Sequence, residues 1–222
     1  MEPTITVVRN EVDPDAEYHC DALAEFVSDA APGARELDYP GGERPDLERA
    51  DGVVLTGSTA GVYEADERPW ITEQERLVRE LLDREIPTLG VCFGHQIVNR
   101  ALGGTVEHVG TTARPVEAEL DDDPLFEGVS PVVPVLHGDV VTESGDGLEI
   151  IGSADYYCAF ATRHRTAPLW TVQFHPEFTP DLRERLAAEA DWTEDACRLD
   201  DSDAYRVIEN FASIVADSSS NP

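Results

Sequence analysis

Two short stretches of this chain place reactive side chains at spacings that covalent catalysis needs. In Gly90-Val91-Cys92-Phe93-Gly94-His95-Gln96 a cysteine stands two residues from a glycine on either side. The apolar run 86–91 reads as a short buried strand and 96–102 as the helix that follows, so Cys92 falls on the turn between them. A side chain on such an elbow sits on strained backbone, and flanking glycines let neighbouring chains pass closely. The helix start also favours the negative charge of an attacking thiolate. The second stretch, Trp170-Thr171-Val172-Gln173-Phe174-His175-Pro176-Glu177, reads as a buried strand ending in a histidine, with a carboxylate two residues on. His175 can take the thiol proton through one ring nitrogen while Glu177 holds the other, and Pro176 stiffens the link. Each residue has a plainer reading: a buried structural cysteine, a strand-end histidine satisfied by backbone, an acid at a helix start. Together they favour a Cys-His-Glu triad, because the plain readings give no reason for all three.

The elements that must position these groups alternate. Strands are expected at 5–8, 34–37 and 53–55, and helices at 18–27 and at 71–82, the latter capped by Thr72. This order implies an α/β fold with a doubly wound, mostly parallel sheet and helices on both faces. From 103 to 173 short apolar runs between Gly, Pro and Asp clusters predict a few added antiparallel or mixed strands, with residues 121–124 as a charged turn. Helices are expected at 179–190 and 204–215, joined by a solvated acidic connection at 191–203.

The heptad around Cys92, together with Phe174-His175-Pro176-Glu177, resembles the class I glutamine amidotransferases, the triad-type glutaminase domains that release ammonia from glutamine. Residues 53–63, Val-Val-Leu-Thr-Gly-Ser-Thr-Ala-Gly-Val-Tyr, resemble that family's strand and oxyanion loop. His137-Gly138-Asp139-Val140-Val141 resembles the His-Gly-Asp segment of GMP-synthetase-type glutaminases. The likeness covers most of the chain to about Phe178, with 207–215 fitting a closing helix. It implies a flavodoxin-like glutaminase fold and a γ-glutamyl thioester on Cys92. It also implies oxyanion donors from the amides of Phe93 and of Gly57 or Ser58, Gln96 near the bound glutamine, and a His137–Asp139 loop approaching the substrate amine. Against these stand packing or capping for Gln96 and a self-satisfied turn for His137 and Asp139. Tyr63 lines the mouth or packs nearby, and His95 packs. His19, His108 and His164 are read as isolated surface or loop histidines, and Cys20, Cys158 and Cys197 are given no role. One departure is Ser58, where the GMP-synthetase type usually carries a second glycine; a serine still supplies an N–H but with less backbone freedom. That departure and Glu67-Arg68-Pro69-Trp70-Ile71 draw the likeness toward stand-alone amidotransferase-like proteins.

At 222 residues the chain is expected to be a single domain at 1–217 with a flexible tail at 218–222, too short for a glutaminase plus a synthetase. No P-loop is visible, so any synthetase would be another chain. The alternative with the same machinery is a γ-glutamyl peptidase acting on γ-glutamyl conjugates; a third reading is a non-catalytic thiol sensor. The substrate is a small molecule in either enzyme reading, and no metal or cofactor is expected, since no cysteine pair has ligand spacing. The formal net charge is −30, from 46 acids against 16 bases, all of them arginine. This resembles proteins of salt-in halophiles; arginine replacing lysine for coding reasons would not by itself raise acid content this far. Such a surface excludes nucleic acid and anionic membranes as partners. With no leader-like or membrane-spanning run, the expected location is the cytoplasm, with reduced thiols.

Overall fold

Strands and helices alternate through the first half of the molecule, which is a computed structural model describing residues 3–219. In chain order they are β1 (Ile5–Arg9), α1 (Tyr18–Ala30), β2 (Arg35–Asp38), β3 (Gly52–Leu55), α2 (Pro69–Asp83), β4 (Thr88–Val91) and α3 (Phe93–Ala101). The second half contributes β5 (Thr105–Leu120), β6 (Val132–Glu143), β7 (Leu148–Ala154), β8 (Tyr157–His164), β9 (Leu169–Val172), α4 (Arg183–Glu189) and α5 (Arg206–Ser219). One nine-stranded sheet results, in the order β2-β1-β3-β4-β9-β8-β7-β5-β6. The first five strands pair in parallel and the remaining pairings are antiparallel, as the change of pattern after residue 103 predicts.

The parallel strands β3, β4 and β9 are buried at every position because helices cover both faces. Alternate residues serve opposite cores: Val54, Leu89 and Val91 pack with Leu23, Val27, Phe211 and Val215 of α1 and α5. Val53 and Leu55 pack with Ile71, Val78, Leu81 and Ile97 of α2 and α3.

Several local expectations change. Helix α2 opens at Pro69, whose fixed φ suits the first helical position, so Thr72 lies inside it and caps nothing. The strands β5 and β6 form one long hairpin with a bulge between His108 and Thr112; residues 107–111 are exposed in an unbroken run, so no alternation marks that stretch as strand. Residues 179–190 divide into a 3-10 turn, Pro180–Leu182, and α4. The stretch 191–203 is more than a solvated connection: Trp192 and Leu199 are buried with Phe178 and Leu186. Asp123 in the charged turn is buried, accepting from Leu125 N (2.9 Å), Arg163 Nη1 (3.0 Å) and Trp170 Nε1 (3.2 Å). Helix α5 runs through Ser219, so the expected tail begins inside a helix, and 220–222 lie outside the described residues, as do 1 and 2. Among the described residues no helix is long and apolar enough to cross a membrane.

With 46 acids against 16 arginines, negative charge is in large excess on this chain. Raising salt from about 0.1 M to about 1 M shortens the screening length from roughly 10 Å to roughly 3 Å and should relieve this repulsion. The melting temperature is expected to rise with KCl, each kcal/mol gained appearing as about 2–4 °C. A flat or falling Tm in a thermal-melt series would contradict it.

Candidate active site

The carboxyl ends of β1, β3, β4 and β9 open on one edge of the sheet, and the chain leaves β1 for β2 on one side and β3 on the other. At such a switch point the loops part and leave a crevice. Cys92, directly after β4, has φ 53° and ψ −104°, a conformation few non-glycine residues adopt. The flanking glycines are there for space. A Cβ on Gly90 would lie 2.5 Å from the Gly94 carbonyl oxygen, and one on Gly94 would lie 2.3 Å from the carbonyl oxygen of Leu55. The elbow is held by Cys92 N donating to Val172 O (2.9 Å) and Gln96 N donating to Cys92 O (3.1 Å).

His175 follows β9 and is seated by its own N–H on Pro134 O (2.9 Å) and by Phe178, stacked on the ring at 4.3 Å. Its Nδ1 donates to Glu177 Oε1 at 2.6 Å, and its Nε2 donates to Leu136 O at 3.2 Å. The Leu136 carbonyl also receives the Cys92 Sγ at 3.8 Å, so thiol and imidazole meet at one acceptor. Both ring nitrogens face acceptors, which is the arrangement of an imidazolium. Burial opposes that charge, but Glu177 and Cys92 outweigh it and hold the His175 pKa well above 6.5. Glu177 is fully buried, and its Oε2 has no hydrogen-bond partner among the described residues. The arrangement can deliver a proton through Nε2 while the carboxylate fixes the ring from behind.

A cavity of about 680 Å3 lies against these groups, and Cys92, His175, Ser58, Gln96, His137 and Asp139 all line it. Gly57, Phe93 and Glu177 are not on its wall. Gly57 lies against Cys92 and His175: a Cβ there would be 3.3 Å from His175 Cε1 and 3.5 Å from Cys92 Cβ. Phe93 opens α3, which puts its amide in the first helical turn while its ring packs on Trp70. Gln96 Nε2 donates to Gln173 Oε1 at 3.3 Å. His137 Nδ1 donates to Asp139 O (2.9 Å), leaving Nε2 to accept from the Tyr156 hydroxyl (2.9 Å); burial pushes its pKa down to about 4, so it is neutral. His95 packs as expected, bonded to Thr171 and Tyr157, with burial driving its pKa to about 3.

None of the three histidines read as isolated is so: His164 Nδ1 accepts from Ala167 N at 3.0 Å within its own turn, and the other two make long-range contacts. His108 Nδ1 reaches Asp139 Oδ1 at 2.8 Å across the β5–β6 hairpin. His19, on the first turn of α1, is buried, bonds Glu11 Oε2 at 2.7 Å and meets the His175 ring edge-on at 5.9 Å. Glu11 did carry a signal: it follows β1, and residues just after parallel strands gather at one edge of the sheet. His108 offered no such signal, because its partner is set by hairpin register.

The family model described as "Glutamine amidotransferase class-I" matches residues 30–190. The glutamine-hydrolyzing GMP synthase subunit of Methanopyrus kandleri is 33% identical over 150 residues, 63% of this chain and 76% of that protein. The glutamine-hydrolyzing GMP synthase of Nocardia farcinica is 37% identical over 128 residues, 56% of this chain. That of Mycolicibacterium paratuberculosis is 34% identical over 154 residues, 64% of this chain. The chain spans only 23% and 28% of those two longer relatives. Among solved structures, a glutamine amidotransferase of Thermotoga maritima superposes with a TM-score of 0.73 at 19% identity, covering 97% of this chain and 99% of that one. A glutamine amidotransferase of Methylobacillus flagellatus does so at 0.71 and 18%, covering 98% and 95%.

Proposed function

From the premise that the chain belongs to the class I glutamine amidotransferases, cysteine-dependent amide hydrolases, we propose that it is a glutaminase that releases ammonia for a separate synthetase subunit. The observation that carries this reading is Cys92 on strained backbone beside a histidine whose far nitrogen is fixed by a buried glutamate. The Cys92 thiolate attacks the side-chain amide carbon of glutamine, forming a C–S bond and an oxyanion. Amides of Phe93 and of Gly57 or Ser58 stabilise that oxygen. His175 Nε2 gives its proton to the departing nitrogen, the C–N bond breaks, and ammonia leaves a γ-glutamyl thioester. Water, giving a proton back to His175, hydrolyses the thioester to glutamate and restores the thiolate. Gln96, His137 and Asp139 shape the substrate end of the cavity. The site of action is the cytoplasm, in keeping with four cysteines that are all free, and neither nucleic acid nor membrane is a partner of so acidic a chain.

A γ-glutamyl peptidase is the second reading, favoured by the size of the cavity: about 680 Å3 is room for a drug-sized ligand, more than one amino acid fills. The test measures ammonia release from glutamine by the isolated chain, with and without an added GMP-synthase-type synthetase, beside cleavage of γ-glutamyl dipeptides. Release of ammonia that rises with the synthetase supports the amidotransferase. Dipeptide cleavage faster than glutamine hydrolysis and indifferent to any synthetase overturns it in favour of the peptidase.

A further inference from the structure

The Glu11 carboxylate gathers donors from separate segments of the chain. Its own turn supplies Val12 N (2.8 Å) and Asp13 N (2.9 Å), and α1 supplies His19 Nε2 (2.7 Å). The loop after β3 supplies Thr59 N (3.0 Å) and the Thr59 hydroxyl. On the other side of that loop, Asn10 fixes Thr56: its N–H donates to Thr56 Oγ1 and its Nδ2 to Thr56 O, each at 3.0 Å. Gly57 and Ser58, the two residues between, are thus pinned at both ends. The His19 ring supports them from below, since a Cβ on Gly57 would be 3.3 Å from His19 Cε1 and equally far from His175 Cε1.

We infer that Glu11 and His19 are positioning residues that hold the Gly57–Ser58 loop with its amides over Cys92, acting on the barrier to the tetrahedral intermediate and not on substrate affinity. This rests on the glutaminase or γ-glutamyl hydrolase reading above. The pair stays charged across the working range. Burial would lower the His19 pKa, but its contacts with Cys20 and Glu11 raise it to about 10. Burial would likewise raise that of Glu11, but His19, Thr59 and the Asp13 amide hold it at about 2. The paired charges cancel at a distance, so the influence on the oxyanion passes through geometry: donors already in place cost no reorganisation during reaction.

The test uses the full chain with Glu11→Ala, Glu11→Gln and Thr59→Val. It reads kcat and KM for glutamine and the rate at which iodoacetamide alkylates Cys92, resolved by mass spectrometry from Cys158 and Cys197. Alkylation displaces iodide at a methylene carbon and needs no oxyanion donor. Glu11→Ala should lower kcat by about tenfold to a hundredfold, less than the loss of a whole oxyanion donor, with KM and Cys92 alkylation within about threefold. Glu11→Gln keeps an acceptor for Thr59 and can donate to a neutral His19, so it should recover most of that kcat. Should Glu11→Ala fail to fold, Thr59→Val, which deletes only the hydroxyl donor, should lower kcat by about fivefold with the same split. Unchanged kcat in both deletions overturns the inference. So does a parallel loss of turnover and alkylation, the mark of general collapse. A wild-type chain that turns over neither glutamine nor γ-glutamyl dipeptides overturns the functional reading itself.

Discussion

Cys92→Ala should release no ammonia from glutamine above background, with kcat lower by about ten-thousandfold or more, because removal of a covalent nucleophile forfeits the whole sequence of steps built on it. The protein should remain folded. The Sγ reaches Leu136 O only at 3.8 Å and otherwise faces the His175 imidazole, and alanine keeps the Cβ that the turn already accommodates at φ 53°. The loss of one buried sulfur costs about 1 kcal/mol. Continuous ammonia detection beside a thermal melt checks both halves: turnover at the wild-type rate would remove Cys92 from the mechanism, and a large drop in Tm would assign it a structural role.

Gly94→Ala should cost stability and activity together. The new Cβ would sit 2.3 Å from the Leu55 carbonyl oxygen and 3.0 Å from the Leu55 Cβ, at the end of a central strand buried on both faces. Backbone in that position has nowhere to move, so overpacking should destabilise the fold by about 3 kcal/mol or more. Any relaxation pushes β3 away from α3 and shifts Thr56, whose carbonyl accepts from Gly94 N at 3.2 Å, together with the Gly57–Ser58 loop that follows it. Urea unfolding with a parallel kcat measurement decides: full stability would show that the elbow glycine is dispensable, and lost stability with intact kcat would separate the packing from the chemistry.

The elbow, the His175–Glu177 pairing and the alternation of elements were legible in the sequence because each depends on near neighbours. Glycines two residues either side of Cys92 report a local steric demand, and His175 and Glu177 stand two residues apart so that one short turn joins them. Apolar runs at 53–55 and 86–91 report strands buried on both faces. The same local reading failed where a side chain's fate depends on something distant. Asp123 reads as part of a charged turn and is buried because Arg163 and Trp170, about forty residues on, come to it. Trp192 and Leu199 looked like part of an acidic connection and close a small core with Phe178 and Leu186.

Which residues are candidates for the chemistry, and in what fold class they are set, thus follows from the order of amino acids alone, since backbone sterics and periodic burial act within a few residues. What surrounds those residues depends on how the folded chain assembles. The Leu136 carbonyl is shared by thiol and imidazole, Asp139 is taken by His108, and Glu11 ties His19 to Thr59. These partners are 8 to 48 residues apart: Glu11, Thr59, Cys92 and His175 meet because a parallel sheet brings the carboxyl ends of its strands to one edge, while Leu136, Asp139 and His108 arrive on the antiparallel β5–β6 hairpin, in its register.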